Sequence, residues 1–83
     1  MEKKLNVLGI DIANQVFHLV GRNEQGTILL RKRLYRAQVM AFIAQLPPTL
    51  IGMEACGGAH YWARRFREHG HAVRLMAPQF VTP

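Results

Sequence analysis

The apolar residues in the first part of the chain recur with the spacing of β-strands. Between Leu5 and Ile12 they fall on both faces of an extended segment, a pattern typical of a central strand covered on two sides. Residues rich in β-forming side chains return at 15–22 and at 27–35. The polar, glycine-ended segment 23–26 separates them and predicts a turn. Three consecutive strands joined by short turns are therefore predicted.

The hydrophobic period changes after Arg36. Four apolar residues then follow at the i, i+3, i+4 and i+7 spacing of one helix face: Val39, Phe42, Ile43 and Leu46. Pro47 and Pro48 end this helix, because proline lacks the backbone N–H that a helix interior requires. A helix is therefore predicted directly after the third strand.

The last part of the chain alternates strand, helix and strand. An apolar run at 49–56 predicts a buried fourth strand, and 71–78 predicts a fifth. The helix between them ends at Gly70. Its apolar stripe consists of Ala59, Trp62, Ala63 and Phe66. The predicted order is β-β-β-α-β-α-β.

This order predicts an α/β fold with one mixed sheet. Short turns make strands 1–3 antiparallel, whereas helical crossovers with right-handed connections make strands 4 and 5 parallel to strand 1. If strand 4 lies beside strand 1, the carboxyl ends of both strands open on one edge of the sheet. Ligands of open α/β sheets bind at such edges.

Two acidic residues lie near the ends of these strands, Asp11 on strand 1 and Glu54 on strand 4. Adjacent strands are about 4.8 Å apart, so two carboxylates on one side of this edge can share hard cations such as Mg²⁺ or Mn²⁺. A cation would also explain how an apolar strand tolerates Asp11, because a buried unpaired carboxylate is costly. The pair predicts a metal site suited to phosphodiester chemistry.

A purely structural role for Asp11 is the alternative. Acidic and amide side chains at strand ends often accept backbone N–H groups in the following turn. The sequence "DIAN" fits such a turn, with Asp11 or Asn14 as the acceptor.

The charge balance points to a polyanionic partner. Eleven Lys and Arg against five Asp and Glu give a net charge of +6, and nucleic acid is the first candidate for a partner. A basic cluster on the third strand and its exit predicts contacts to a nucleic-acid backbone: Arg31, Lys32, Arg33 and Arg36. Alternatively, these charges protect an edge strand from aggregation.

Several features indicate a cytoplasmic protein without a membrane span. A single cysteine, Cys56, cannot form an internal disulfide, and Asn6 and Asp11 interrupt the N-terminal apolar run that a signal peptide would need. No uninterrupted apolar stretch approaches the roughly 20 residues of a membrane helix. Cys56 itself is expected to be a small core residue beside the site.

The remaining polar candidates have structural interpretations. His60, His69 and His71 lack a metal-binding spacing and are expected at the surface or at helix caps. His18 is expected to be structural, and Trp62 to lie in the core rather than to stack on bases. The glycines at 57–58 either pack a helix closely against a strand or expose N–H groups to a phosphate.

Two blocks of sequence carry a family resemblance. The segments "GIDIANQVFHLVGRNEQG" and "LIGMEACGGAHYWARRFREHGHAVRLMAPQFV" resemble the N-terminal RNase H-like (RuvC-like) domain of DEDD insertion-sequence transposases, the IS one-ten type related to the Piv DNA invertase. The most specific part is the pair "GIDIA" and "GMEACGGAHYWAR" at this separation. The resemblance covers nearly the whole chain.

The resemblance implies that Asp11 and Glu54 are the first two catalytic carboxylates. Residues 1–77 would then be the N-terminal part of the catalytic domain, and 78–83 the start of a connection to missing C-terminal regions. Two further aspartates and a domain with a nucleophilic serine would follow. The implied partners are DNA and a structured guide RNA, in a homo-oligomer when the protein is full length.

The sequence is compatible with three functions. The first is the N-terminal part of a metal-dependent DNA transposase or recombinase that is inactive as a fragment. The second is a truncated, non-catalytic remnant that binds nucleic acid. The third is an actin-like or sugar-kinase ATPase lobe, which shares the strand order, although "DIANQVF" lacks the glycine and hydroxyl residues of a phosphate-binding hairpin.

Overall fold

A computed structural model describes residues 4–13 and 15–77 of the chain. These residues form one sheet with two helices. The elements in chain order are β1 (Val7–Ala13), β2 (Val16–Arg22), β3 (Ile28–Tyr35), α1 (Arg36–Ala44), β4 (Leu50–Glu54), α2 (Ala59–Glu68) and β5 (Ala72–Met76). Asn14 and residues 78–83, which were assigned to a turn and to a connection, lie outside the described residues.

The sheet has the predicted topology. Its strand order is β3-β2-β1-β4-β5. β1, β2 and β3 pair antiparallel, whereas β4 pairs parallel to β1 and β5 parallel to β4. The prediction of an α/β mixed sheet is therefore confirmed, with β1 at its centre and β3 at one edge.

Local hydrogen bonds define the turn between β2 and β3. The Asn23 side-chain oxygen accepts the backbone N–H groups of Gln25 at 3.0 Å and Thr27 at 2.9 Å. Gly26 has a φ of 85°, a conformation that glycine adopts without steric cost. The predicted turn at 23–26 is confirmed, and the Asn23 side chain stabilises it through these two hydrogen bonds.

Both helices pack against the same face of the sheet. They bury Val39 and Ile43 from α1, together with the predicted apolar stripe of α2. The Trp62 and Phe17 rings pack edge to face with their centroids 5.0 Å apart, so α2 contacts β2 in the core. Neither helix in the described part of the chain is long and apolar enough to cross a membrane.

The other face of the sheet carries no helix from residues 4–13 or 15–77. The core cluster takes Leu8 and Ile10 from β1, whose side chains point towards the helices. Their neighbours on β1 point the opposite way, because side chains alternate along a strand. The prediction that β1 is covered on two sides is wrong for this part of the chain. Apolar residues on an open face produced the same sequence pattern as a buried strand.

His71 is a core residue, which corrects the prediction of a surface or cap position. It is 4% exposed. The Thr49 backbone N–H donates to its Nδ1 at 3.1 Å, and its Nε2 lies 2.9 Å from the Ile43 carbonyl oxygen. Because a backbone amide can only donate, Nδ1 is the acceptor and Nε2 carries the proton. The imidazole thus ties the entry of β4 to the end of α1.

Candidate functional site

Strand register brings Asp11 and Glu54 together on the open face. Ile10 and Met53 are partners in the parallel pairing of β1 with β4, and both point into the core. Asp11 and Glu54 are the next residues on their strands and therefore point to the opposite face. Both line the same surface groove. The juxtaposition expected from parallel pairing is therefore present.

The groove has a volume of about 410 Å³, and two of the residues that line it are Gly9 and Gly52. Gly9 and Gly52 are partners in the β1–β4 pairing. A Cβ atom at Gly9 would lie 3.7 Å from the Val20 carbonyl oxygen, and one at Gly52 would lie 3.6 Å from the end of Met76. Both are ordinary contact distances, so space does not demand glycine here. Their effect is to leave the sheet surface open beside the two carboxylates.

Asp11 is exposed and Glu54 is half-buried. The Asp11 carboxylate is therefore reachable by water in the described structure, so its place in this strand does not need a cation to explain it, contrary to the expectation from the sequence. Within residues 4–13 and 15–77 neither carboxylate has an ion-pair partner. Among residues 4–13 and 15–77 no hydrogen bond involves the Asp11 side chain, and Asn14, the other residue of the predicted turn-capping role, lies outside these residues.

The donor set fits a hard divalent cation in part. Mg²⁺ is commonly held by one or two carboxylates together with waters and substrate phosphates. Asp11 and Glu54 supply two carboxylates on adjacent strands. The described part of the chain contains no cluster of three or more His, Cys, Asp or Glu side chains that could hold a metal. The remaining ligands would have to come from solvent, from a phosphate or from other protein segments.

His18 belongs to the same groove, whereas the sequence predicts only a structural role for it. It is exposed, it is the partner of Asp11 in the β1–β2 hairpin, and it lines the groove with Glu54. Strand register places it there: partners in the β1–β2 pairing have residue numbers that add to 29, as for Ala13 and Val16, which puts 18 opposite 11.

The structure divides the predicted basic cluster between the two faces of the sheet. Arg31 and Arg33 alternate with Lys32 along β3, so they point to the open face. Lys32 points to the helix side, where its Nζ lies 5.4 Å from the centre of the Phe42 ring. The Arg36 guanidinium lies 5.4 Å from the centre of the Trp62 ring, also on the helix side.

The segment between β4 and α2 differs from two expectations. Cys56 is exposed rather than in the core, because β4 ends two residues earlier and the chain turns towards α2. Close packing does not explain Gly57, since a Cβ atom there would meet nothing within 4 Å. At Gly58 the nearest atom would be a Trp62 ring carbon at 3.9 Å. Trp62 itself is in the core, as predicted.

Curated relatives of this chain carry transposase names. The chain is 56% identical over 79 residues to a probable family 20 transposase of Pseudomonas aeruginosa, a match that covers 95% of the chain and 23% of that protein. It is 43% identical over 79 residues to the transposase for insertion sequence element IS1328 of Yersinia enterocolitica. This match covers 95% of the chain and 24% of that protein. It is 42% identical over 81 residues to the transposase for insertion sequence element IS1111A of Coxiella burnetii. This match covers 98% of the chain and 22% of that protein.

The matched region is a small part of each relative. The chain spans about a quarter of the length of these curated proteins. No family model matches the chain, and no solved structure matches it.

Proposed function

We propose that this chain is the N-terminal part of a DNA transposase or recombinase, with an RNase H-like (RuvC-like) domain at residues 1–77. In this proposal Asp11 and Glu54 are ligands of Mg²⁺ or Mn²⁺ in metal-dependent phosphodiester chemistry. One observation carries the proposal: the two carboxylates lie side by side on the open face of a chain that is 42–56% identical to proteins named transposases. The strand order 3-2-1-4-5 agrees with the proposal but is shared by the ATPase alternative.

The chain's own residues would supply one half of a reaction site. Asp11 and Glu54 present oxygen ligands from adjacent strands, and Gly9 and Gly52 keep the sheet surface beside them low enough for a nucleic-acid backbone to approach. A bound divalent cation would supply charge stabilisation at the phosphate that reacts. Because these are two carboxylates only, the fragment alone would bind a cation weakly and would not cut DNA.

The longer protein would complete the site. By resemblance to DEDD transposases, two further aspartates and a nucleophilic serine would be provided by segments beyond residues 78–83. DNA is the proposed substrate, which agrees with the net charge of +6. A structured guide RNA and a homo-oligomeric assembly are further proposals that rest on the same resemblance.

Two alternatives make different predictions. A non-catalytic remnant would bind nucleic acid but would not require Asp11 or Glu54. An actin-like or sugar-kinase ATPase lobe would need a phosphate-binding hairpin between its first two strands. Ala13 and Val16 are paired residues, so only two residues connect β1 to β2. That short connection is unfavourable for the ATPase alternative.

The test is the metal dependence of the full-length protein. We expect recombination between plasmid-borne copies of its element ends to require Mg²⁺ or Mn²⁺, to stop in EDTA and to resume when either ion is added in excess. Ca²⁺ serves as the control cation, because it binds oxygen ligands with longer bonds and a looser geometry. Undiminished recombination in EDTA would refute the metal-dependent mechanism. Metal-dependent ATP hydrolysis without recombination would favour the ATPase alternative.

A further inference from the structure

A row of polar side chains crosses the open face from the carboxylates towards the β3 edge. His18 is the partner of Asp11 in the β1–β2 pairing, and Arg33 is the partner of His18 in the β2–β3 pairing. Two strand spacings separate Arg33 from Asp11, which is about 10 Å between backbones. The row therefore runs from an acidic centre, through an imidazole, to a guanidinium group.

Arg33 is held in a position where it does not neutralise the carboxylates. Its guanidinium lies 5.6 Å from the centre of the exposed Tyr35 ring, two residues further along the same face of β3. It forms no ion pair with a carboxylate of residues 4–13 or 15–77. The Tyr35 backbone N–H donates to the Gln38 side-chain oxygen at 2.9 Å, which fixes the backbone at this end of β3. The guanidinium is thus exposed on the same face as the carboxylates and not paired with them.

The positive charge of Arg33 can offset the repulsion between the two carboxylates and an approaching nucleic acid. Two carboxylates repel the phosphates of a nucleic acid, so a strand that reaches them needs positive charge along its path. A guanidinium matches the geometry of a phosphate and donates two parallel hydrogen bonds to it. His18 adds a ring nitrogen that can donate a hydrogen bond between the two positions.

We propose that Arg33, with His18 beside it, binds a backbone phosphate next to the phosphate that lies at Asp11 and Glu54. Arg33 is then a substrate-positioning residue that fixes where the nucleic-acid strand crosses the open face. This inference rests on the proposed function. It predicts that the direction in which a basic side chain points from β3 decides its effect on binding.

The chain offers a matched pair for the test. Lys32 is adjacent to Arg33 in sequence, is also exposed and carries the same charge, but it points to the helix side. Arg33→Gln and Lys32→Gln therefore lower the net charge equally and differ in the face they affect. Arg33→Lys keeps the charge and loses the two-bond geometry. Both positions are at the surface, so thermal melting of the three variants is expected to remain close to that of the unchanged chain.

Binding is measured by fluorescence anisotropy with labelled single-stranded DNA and RNA of the same sequence, at several salt concentrations and with Mg²⁺ present. We expect Arg33→Gln to weaken binding to DNA about tenfold and to lower the slope of log K against log salt by about one, as loss of one phosphate contact should. Lys32→Gln should change affinity less than about twofold, and Arg33→Lys should recover part of the loss.

The outcomes separate this inference from the proposed function. Equal losses for Arg33→Gln and Lys32→Gln, with strong binding by the unchanged chain, would overturn the positioning role and leave the transposase proposal intact. A loss confined to the RNA probe would overturn the assignment of this row to the DNA strand. No binding of either probe by the unchanged chain would overturn the inference, and recombination by the full-length protein would still test the proposed function independently.

Discussion

Asp11→Asn and Glu54→Gln in the full-length protein are each expected to abolish recombination, with a loss of at least about a hundredfold. Each change keeps the size and shape of the side chain and removes one ligand charge. Removing a single preorganised electrostatic contact from an active site typically costs a factor of about 10²–10³. Because both side chains lie on the open face rather than in the core, the fold and the affinity for nucleic acid should remain largely intact.

The measurement is a plasmid recombination assay run beside a thermal melt of each variant. Glu24→Gln is the control, because it makes the same charge change at an exposed position in the turn between β2 and β3. We expect Glu24→Gln to recombine normally. Near-normal recombination by a folded Asp11→Asn protein would contradict the catalytic assignment. Activity lost together with the fold would instead give Asp11 a structural role.

His71→Ala is expected to destabilise the domain by about 2–4 kcal/mol. The change removes a buried side chain and leaves the Thr49 N–H and the Ile43 carbonyl without the partners that the imidazole provides. Domains of 83 residues typically have an unfolding free energy of about 4–12 kcal/mol in total. The variant should therefore lose a large fraction of the stability of the fold.

Urea denaturation followed by tryptophan fluorescence measures this loss, because the single Trp62 is 6% exposed and reports on the core. His60→Ala is the matched control: the same substitution at an exposed position of α2 should change the unfolding free energy by less than about 0.5 kcal/mol. Equal effects of the two substitutions would mean that the buried imidazole bridge does not stabilise the domain.

The sequence predicted the topology well because the relevant signals are local. Short turns between β-forming segments impose antiparallel pairing, and a helical period before "TLIGMEAC" imposes a parallel crossover. These two rules predict the strand directions. That strand 4 lies beside strand 1 was a condition of the predicted site, and the structure meets it. The open face was not predictable in the same way. Val7 and Val20 point away from the helices, and such apolar residues make a one-sided strand resemble a buried one.

The errors concern residues whose roles depend on distant partners. His71 follows a glycine at the end of a helix, which resembles a cap, whereas its two hydrogen-bond partners lie 22 and 28 residues earlier in the chain.

The basic cluster was predicted wrongly for a local reason. Arg31, Lys32 and Arg33 are adjacent in sequence and appear to form one patch, yet strand alternation assigns them to two faces. Applying this alternation to β3 would have separated them.

Binding of Mn²⁺ to this chain tests most directly whether Asp11 and Glu54 form one cation site. Mn²⁺ is paramagnetic, so the NMR signals of nearby amides broaden when it binds. We expect broadening to begin around Asp11 and Glu54, with a roughly millimolar dissociation constant for two carboxylates. Asp11→Asn and Glu54→Gln should each remove it, whereas Glu24→Gln should not. Broadening that persists in the double variant, or that begins at Glu24 or Glu68, would contradict the shared site.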